Sequence, residues 1–248
     1  MSAGKWDKSP WSLHMQYDVL HEGSNAVLLV SLKQGEKLRA ESGAMVAKSP
    51  KLHIRGKMWG GFFGAMQRSV LGGETFFFQE ISAEDGNGDV ILAPSLIGDV
   101  KVISLQDGQD YYVQNGCLLA ALEHVEMGTK AQKLTAGLFS GAGFFVLHLK
   151  GSGHFVISAF GAIMEVPIPA GQEYIVDNGH VVAWSGDTEY HMVKAGKTWW
   201  SSMTSGEGLA CKFQGPGKVW IQTRNPRSFG AWIGQFVRAR GGLLSLIG

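Results

Sequence analysis

Short, nearly all-apolar runs alternate with glycine-bearing polar turns along the chain. Leu29-Val30-Ser31-Leu32, Val102-Ile103-Ser104-Leu105 and Val166-Pro167-Ile168 form one set of runs. Runs this short, bounded by turn residues, predict β-strands covered on both faces. A second set, Asp89-Val90-Ile91-Leu92, His154-Phe155-Val156-Ile157 and Lys218-Val219-Trp220-Ile221, follows Gly-x-Gly pairs at Gly86/Gly88, Gly151/Gly153 and Gly215/Gly217. Apolar run, glycine turn and apolar run together predict hairpins, because glycine accepts the positive φ of tight turns.

The runs belong to a longer repeat. Residues 35–47 read GEKLRAESGAMVA, 108–120 read GQDYYVQNGCLLA and 171–183 read GQEYIVDNGHVVA. Glycine holds the first and ninth places of each copy and alanine the thirteenth. This self-similarity predicts three β-rich units of about four strands each, over 17–97, 98–160 and 161–225, within one all-β domain spanning residues 1–225. Gly43, Gly116 and Gly179, each after Ser or Asn, are predicted to occupy equivalent turns with positive φ. Glu41, Gln114 and Asp177 share one place in the repeat, which points to a structural role. The first unit departs from the pattern with an extra stretch at 48–72. It holds Trp59, Phe62 and Phe63 in a glycine–aromatic segment and is a candidate interaction loop; the favoured reading of Phe62 and Phe63 is that they plug the core.

A different period governs the end of the chain. Asn225-Pro226 is a helix start, with Asn at the N-cap and Pro in the first turn. Phe229, Trp232, Ile233, Phe236 and Val237 then fall on one helical face, and Gly241-Gly242 is expected to end the helix. Burying those five side chains is worth at most about 7–15 kcal/mol. Three arginines in the tail add only about 3 kcal/mol at an anionic surface. Docking of residues 226–248 on the body or a sister subunit is therefore expected over peripheral membrane contact.

Composition narrows the function classes. The 248 residues carry 22 Lys plus Arg against 21 Asp plus Glu, a net charge of +1, which disfavours general nucleic-acid binding. Glycine is abundant, at 35 residues, but 7 prolines leave the chain short of low complexity. Cys117 and Cys211 match no zinc spacing and read as free thiols of a cytoplasmic protein. No apolar stretch is long enough to span a membrane. Ala195-Gly196-Lys197-Thr198 lacks the first glycine of a phosphate-binding loop, since residue 191 is His. Asp85, Asn87 and Asp89 have calcium-loop spacing but lack its Gly and Glu. His148 and His154, placed across the predicted Gly151–Gly153 hairpin, are the nearest approach to a metal pair, and no third ligand accompanies them. No metal, cofactor or catalytic residue is expected.

GGFFGAMQRSVLGGETFFFQEISA (60–83) and GPGKVWIQTRNPRSF (215–229) resemble two signatures of a widespread family. Its fungal members are the altered-inheritance-of-mitochondria proteins, and its bacterial members are small intracellular proteins. The resemblance covers about residues 14–235. It implies a fold similar to that of the tryptophan RNA-binding attenuation protein, an all-β sandwich built by duplication and akin to a double-stranded β-helix. It brings no catalytic residues, and it links the fungal members to mitochondrial inner-membrane organisation. The expectation is a self-associating, non-enzymatic scaffold or binding protein, contacting protein partners or a membrane surface. RNA or small-ligand binding, by analogy with the attenuation protein, is the alternative.

Overall fold

A computed structural model describes residues 15–58, 77–131, 145–194 and 209–244. Trp59, Phe62 and Phe63 lie outside the described residues. The described residues are mostly β-strand, with one C-terminal helix, α1 (Pro226–Leu244).

The first stretch contains β1 (Gln16–Leu20), β2 (Val27–Leu32), β3 (Lys37–Glu41), β4 (Met45–Lys48), β5 (Leu52–Met58), β6 (Phe77–Ala83) and β7 (Gly88–Leu92). The second contains β8 (Val100–Leu105), β9 (Tyr111–Gln114), β10 (Leu118–Ala121), β11 (His124–Ala131) and β12 (Phe145–Ser158). The third contains β13 (Ile163–Ile168), β14 (Glu173–Asp177), β15 (Val181–Ser185), β16 (Glu189–Lys194), β17 (Leu209–Gln214) and β18 (Gly217–Gln222).

All named strand pairs are antiparallel, and one pairing scheme recurs. β7 lies between β2 and β4, while β6 lies between β3 and β5. In the second stretch the single strand β12 takes both places. Its second half pairs with β8 and β10, and its first half with β9 and β11. In the third, β18 lies between β13 and β15, and β17 between β14 and β16. Two further pairs join the stretches: β3 with β10, and β9 with β15.

The predicted Gly-x-Gly hairpins do not form. β6 and β7 pair with different strands, as do β17 and β18, and Gly151 and Gly153 lie inside the continuous β12. At each place the chain turns a corner from one layer of strands to another, a job for bends and bulges. Gly86, Gly151, Gly153 and Gly217 have positive φ there, whereas Gly88 and Gly215 do not. The glycines mark bends rather than hairpin tips, and local sequence does not show which strand a run pairs with.

Gly43 (φ 87°) and Gly116 (φ 76°) adopt the predicted left-handed turn. Gly179 does not: it sits in a 3-10 turn, Asn178–His180, whose N–H is capped by Asp177 Oδ1 at 2.8 Å. A Cβ at Gly43 meets nothing within 4 Å, whereas one at Gly179 collides with the Asn225 side chain. Gly43→Ala should therefore cost about 1–2 kcal/mol from backbone strain alone. Gly179→Ala should act through the helix instead, by displacing its N-cap. Chemical denaturation of the first and helical circular dichroism of the second would check the distinction.

Three apolar clusters fill the layers. One packs the first stretch but includes Leu119, Ala120, Leu122 and Val156 of the second. The central one joins Phe78, Phe155, Val182 and Trp220, drawn from all three stretches. The last surrounds Trp184 and Phe213 in the third and takes in Val146.

Helix α1 begins as expected, with Asn225 Oδ1 accepting from the Arg227 and Ser228 N–H groups at 2.9 and 3.3 Å. It runs through Gly241-Gly242 to Leu244, so those glycines do not end it. The apolar face does not lie on the body either. Phe229 touches Phe160, with ring centroids 5.1 Å apart, while Trp232 and Phe236 remain 54% and 59% exposed. Among the described side chains of α1, the contact with Phe160 is made from its first turn, and the aromatic groups beyond it are open.

Candidate functional site

The junctions between the three stretches meet at one end of the molecule. Asp99 N–H donates to Gly161 O, Gly161 N–H to Ile97 O, and Arg224 N–H to Phe160 O. A cavity of about 360 Å³ opens there, lined among others by Glu41, Leu96, Gln114, Phe160, Asn225 and Arg227. Its size is at the lower end of small-molecule sites.

Glu41 stands at the end of β3, and burial pushes its carboxyl up to about 7. Gln114, at the matching end of β9, lines the same cavity, and its Oε1 is buried without a hydrogen-bond partner. Asp177, at the third matching place, caps the 3-10 turn. Equivalent positions thus do different work. Asp177 makes a structural contact, whereas Glu41 lines the cavity. The signal in the sequence was the change of side chain at one repeated place.

The direction of the Glu41 shift fixes a pH dependence. The native carboxyl keeps its proton up to about 7, whereas the unfolded chain releases it near 4.5. Between those values the native state binds more protons, so this group makes stability fall as pH rises. Glu41→Gln should leave stability unchanged near pH 4 and raise it at pH 8. Urea midpoints at the two pH values would check this.

Burial keeps the two thiols protonated. Cys117 is buried and pushed up to about 12, chiefly by desolvation. Cys211 is also raised to about 12 by burial and lies 3.5 Å from Asn178 Oδ1 and 3.6 Å from the Tyr190 hydroxyl. A thiol at such values is not a thiolate at neutral pH.

His148 and His154 do not face each other across a hairpin. They lie six residues apart on β12, roughly 20 Å of extended chain. His148 Nε2 meets Asp110 Oδ2 at 2.6 Å and stacks on Tyr112, while His154 Nδ1 lies 3.2 Å from Glu123 Oε2. Among the described residues no three His, Cys, Asp or Glu side chains come together as a metal site.

The second candidate surface is the exposed face of α1, with Phe229, Trp232, Ile233 and Phe236 between 40% and 59% exposed. It adjoins the cavity through Phe160 and Arg227. No described helix is long and apolar enough to cross a membrane.

Comparison with known proteins agrees with this architecture. An uncharacterized protein of Streptococcus pyogenes serotype M6 is 29% identical over 215 residues, covering 84% of this chain and 85% of that protein. The X-ray crystal structure of another Streptococcus pyogenes protein superposes with a TM-score of 0.75 at 24% identity, over 90% of this chain and all of the other. At that identity the likeness is one of fold. Residues 17–224 match the family described as Mitochondrial biogenesis AIM24, a span that takes in every strand but the first residue of β1, and the chain belongs to that family.

Proposed function

We propose that the protein is a non-catalytic scaffold that self-associates through its β body and rests on an anionic membrane surface through α1. The observation that carries this reading is the open aromatic face of α1, which the body leaves uncovered beyond Phe229. Residues 225–248 contain Arg227, Arg238 and Arg240 and no acidic residue. A helix with Trp and Phe on one side and arginine as its only charge has the chemistry of an interfacial anchor. Docking on the body or a sister subunit is the competing expectation, and the exposure of Trp232 and Phe236 argues against the first of these. The near-balanced charge of the whole chain favours this reading over binding to RNA.

Self-association is supported by exposed apolar side chains on strands that have only one neighbour among the described residues. Val46 on β4 is 61% exposed, Met164 on β13 52% and Ile175 on β14 63%. Natural sheets usually blunt such edges with charge or cover them. Flotation with vesicles of phosphatidylglycerol and phosphatidylcholine tests the membrane part: binding to the mixed vesicles, weakened by salt, is expected. Binding to neither mixed nor pure phosphatidylcholine vesicles would overturn it. Sedimentation of the full chain tests the assembly part.

A further inference from the structure

The three stretches are joined by one kind of strand pair, used twice. β3 pairs with β10, placing Ala40 opposite Ala120 and Arg39 opposite Ala121. β9 pairs with β15, placing Val113 opposite Ala183, Tyr112 opposite Trp184 and Tyr111 opposite Ser185. In repeat terms the two registers are the same: the sixth residue of one motif faces the thirteenth of the next, and the fifth faces the fourteenth. Each time, a first motif strand receives the second motif strand of the following stretch.

Two strands of this class are left over at the ends of the array. Among the described residues, β14, the first motif strand of the third stretch, pairs only with β17, and β4, the second motif strand of the first, pairs only with β7. Their burial shows the missing neighbour. All of β10 is buried and nearly all of β15, whereas three of the four residues of β4 are exposed, as are the first three of β14. Val46, Tyr174 and Ile175 are the large apolar side chains left in the open.

We propose that β14 of one copy pairs antiparallel with β4 of a second copy, so that the chain assembles head to tail in the register it already uses internally. The residues that then face each other are Val176 with Ala47, Ile175 with Lys48 and Tyr174 with Ser49. The contact is heterologous: the two edges differ, so each copy keeps one of each to offer, and the series closes as a ring or extends as a filament. The pairing removes both open edges and covers Val46 and Ile175 without a new kind of interface. This rests on the self-association proposed above and assigns its surface.

The test uses two full-length variants, Lys48→Cys and Ile175→Cys, each on its own chain so that no link can form within one molecule. Cross-strand Cβ atoms lie about 4.5–5.5 Å apart, near the span of a disulfide. The native thiols are both buried. Mixing and mild oxidation should give a cross-linked pair containing one chain of each kind. Glu173→Cys in place of Ile175→Cys should link poorly, being two residues out of register. Ile175→Pro, which cannot donate to a strand ladder, should lose the assembly while keeping its circular dichroism spectrum. If that variant unfolds, Ile175→Asp serves instead, since residue 175 is exposed in the single chain.

A monomer for the unmodified protein at micromolar concentration would overturn self-association and this interface together. An assembly that persists in Ile175→Pro and Ile175→Asp, with no mixed cross-link, would overturn the interface alone.

Discussion

Replacing Trp184 with alanine should lower the free energy of unfolding by about 3–5 kcal/mol, the usual cost of emptying a large aromatic site in a core. Trp184 is 1% exposed on β15. Its ring stacks on Tyr112 at 5.4 Å and on Tyr190 at 4.8 Å, and meets the edge of Phe213 at 5.6 Å. Those rings come from β9, β16 and β17, so the loss would reach both the third stretch and its junction with the second. Trp184→Phe keeps an aromatic ring and should cost less. Urea unfolding would show the difference as a shifted midpoint at unchanged slope. A Trp184→Ala midpoint within error of the unmodified protein would mean that the stacked rings are not a core.

The second large effect concerns function. The double substitution Trp232→Ser/Phe236→Ser removes two exposed aromatic groups from α1, each worth about 1.5–3 kcal/mol when buried. Their joint loss should weaken attachment to phosphatidylglycerol vesicles by about 100-fold or more, without lowering the unfolding midpoint. Deleting residues 226–248 should likewise abolish attachment and improve solubility, since it removes apolar surface that the body does not cover. Vesicle binding unchanged in the double variant would assign attachment to another surface.

Much of this architecture was legible in the residues. The motif at 35–47, 108–120 and 171–183 supplies two short strands each time, and the apolar runs around it are strands too. Asn225-Pro226 marks the start of α1, and the period of Phe229, Trp232 and Phe236 gives its face. What escaped was pairing. Gly151 and Gly153 carry the same signal whether the chain reverses or passes from one layer to the next, because positive φ serves both. Gly179 shares its motif place with Gly43 and Gly116, yet the Asn225 side chain beside it and the Asp177 cap impose another turn. The cavity was hidden for a similar reason. Glu41, Phe160 and Arg227 are far apart in the chain, and only the meeting of the junctions brings them to one wall.

The course of β12 has a consequence for synthesis. One strand lends its second half to the packing of the first stretch and its first half to the third. The apolar cluster of the first stretch is incomplete until Val156 has been made, some sixty residues after that stretch ends. A nascent chain that has released residues 17–97 therefore holds open edges and a core without its far wall. Such surfaces invite aggregation while they wait. A chain stopped before Ser158 should be a client of chaperones rather than a smaller version of the fold.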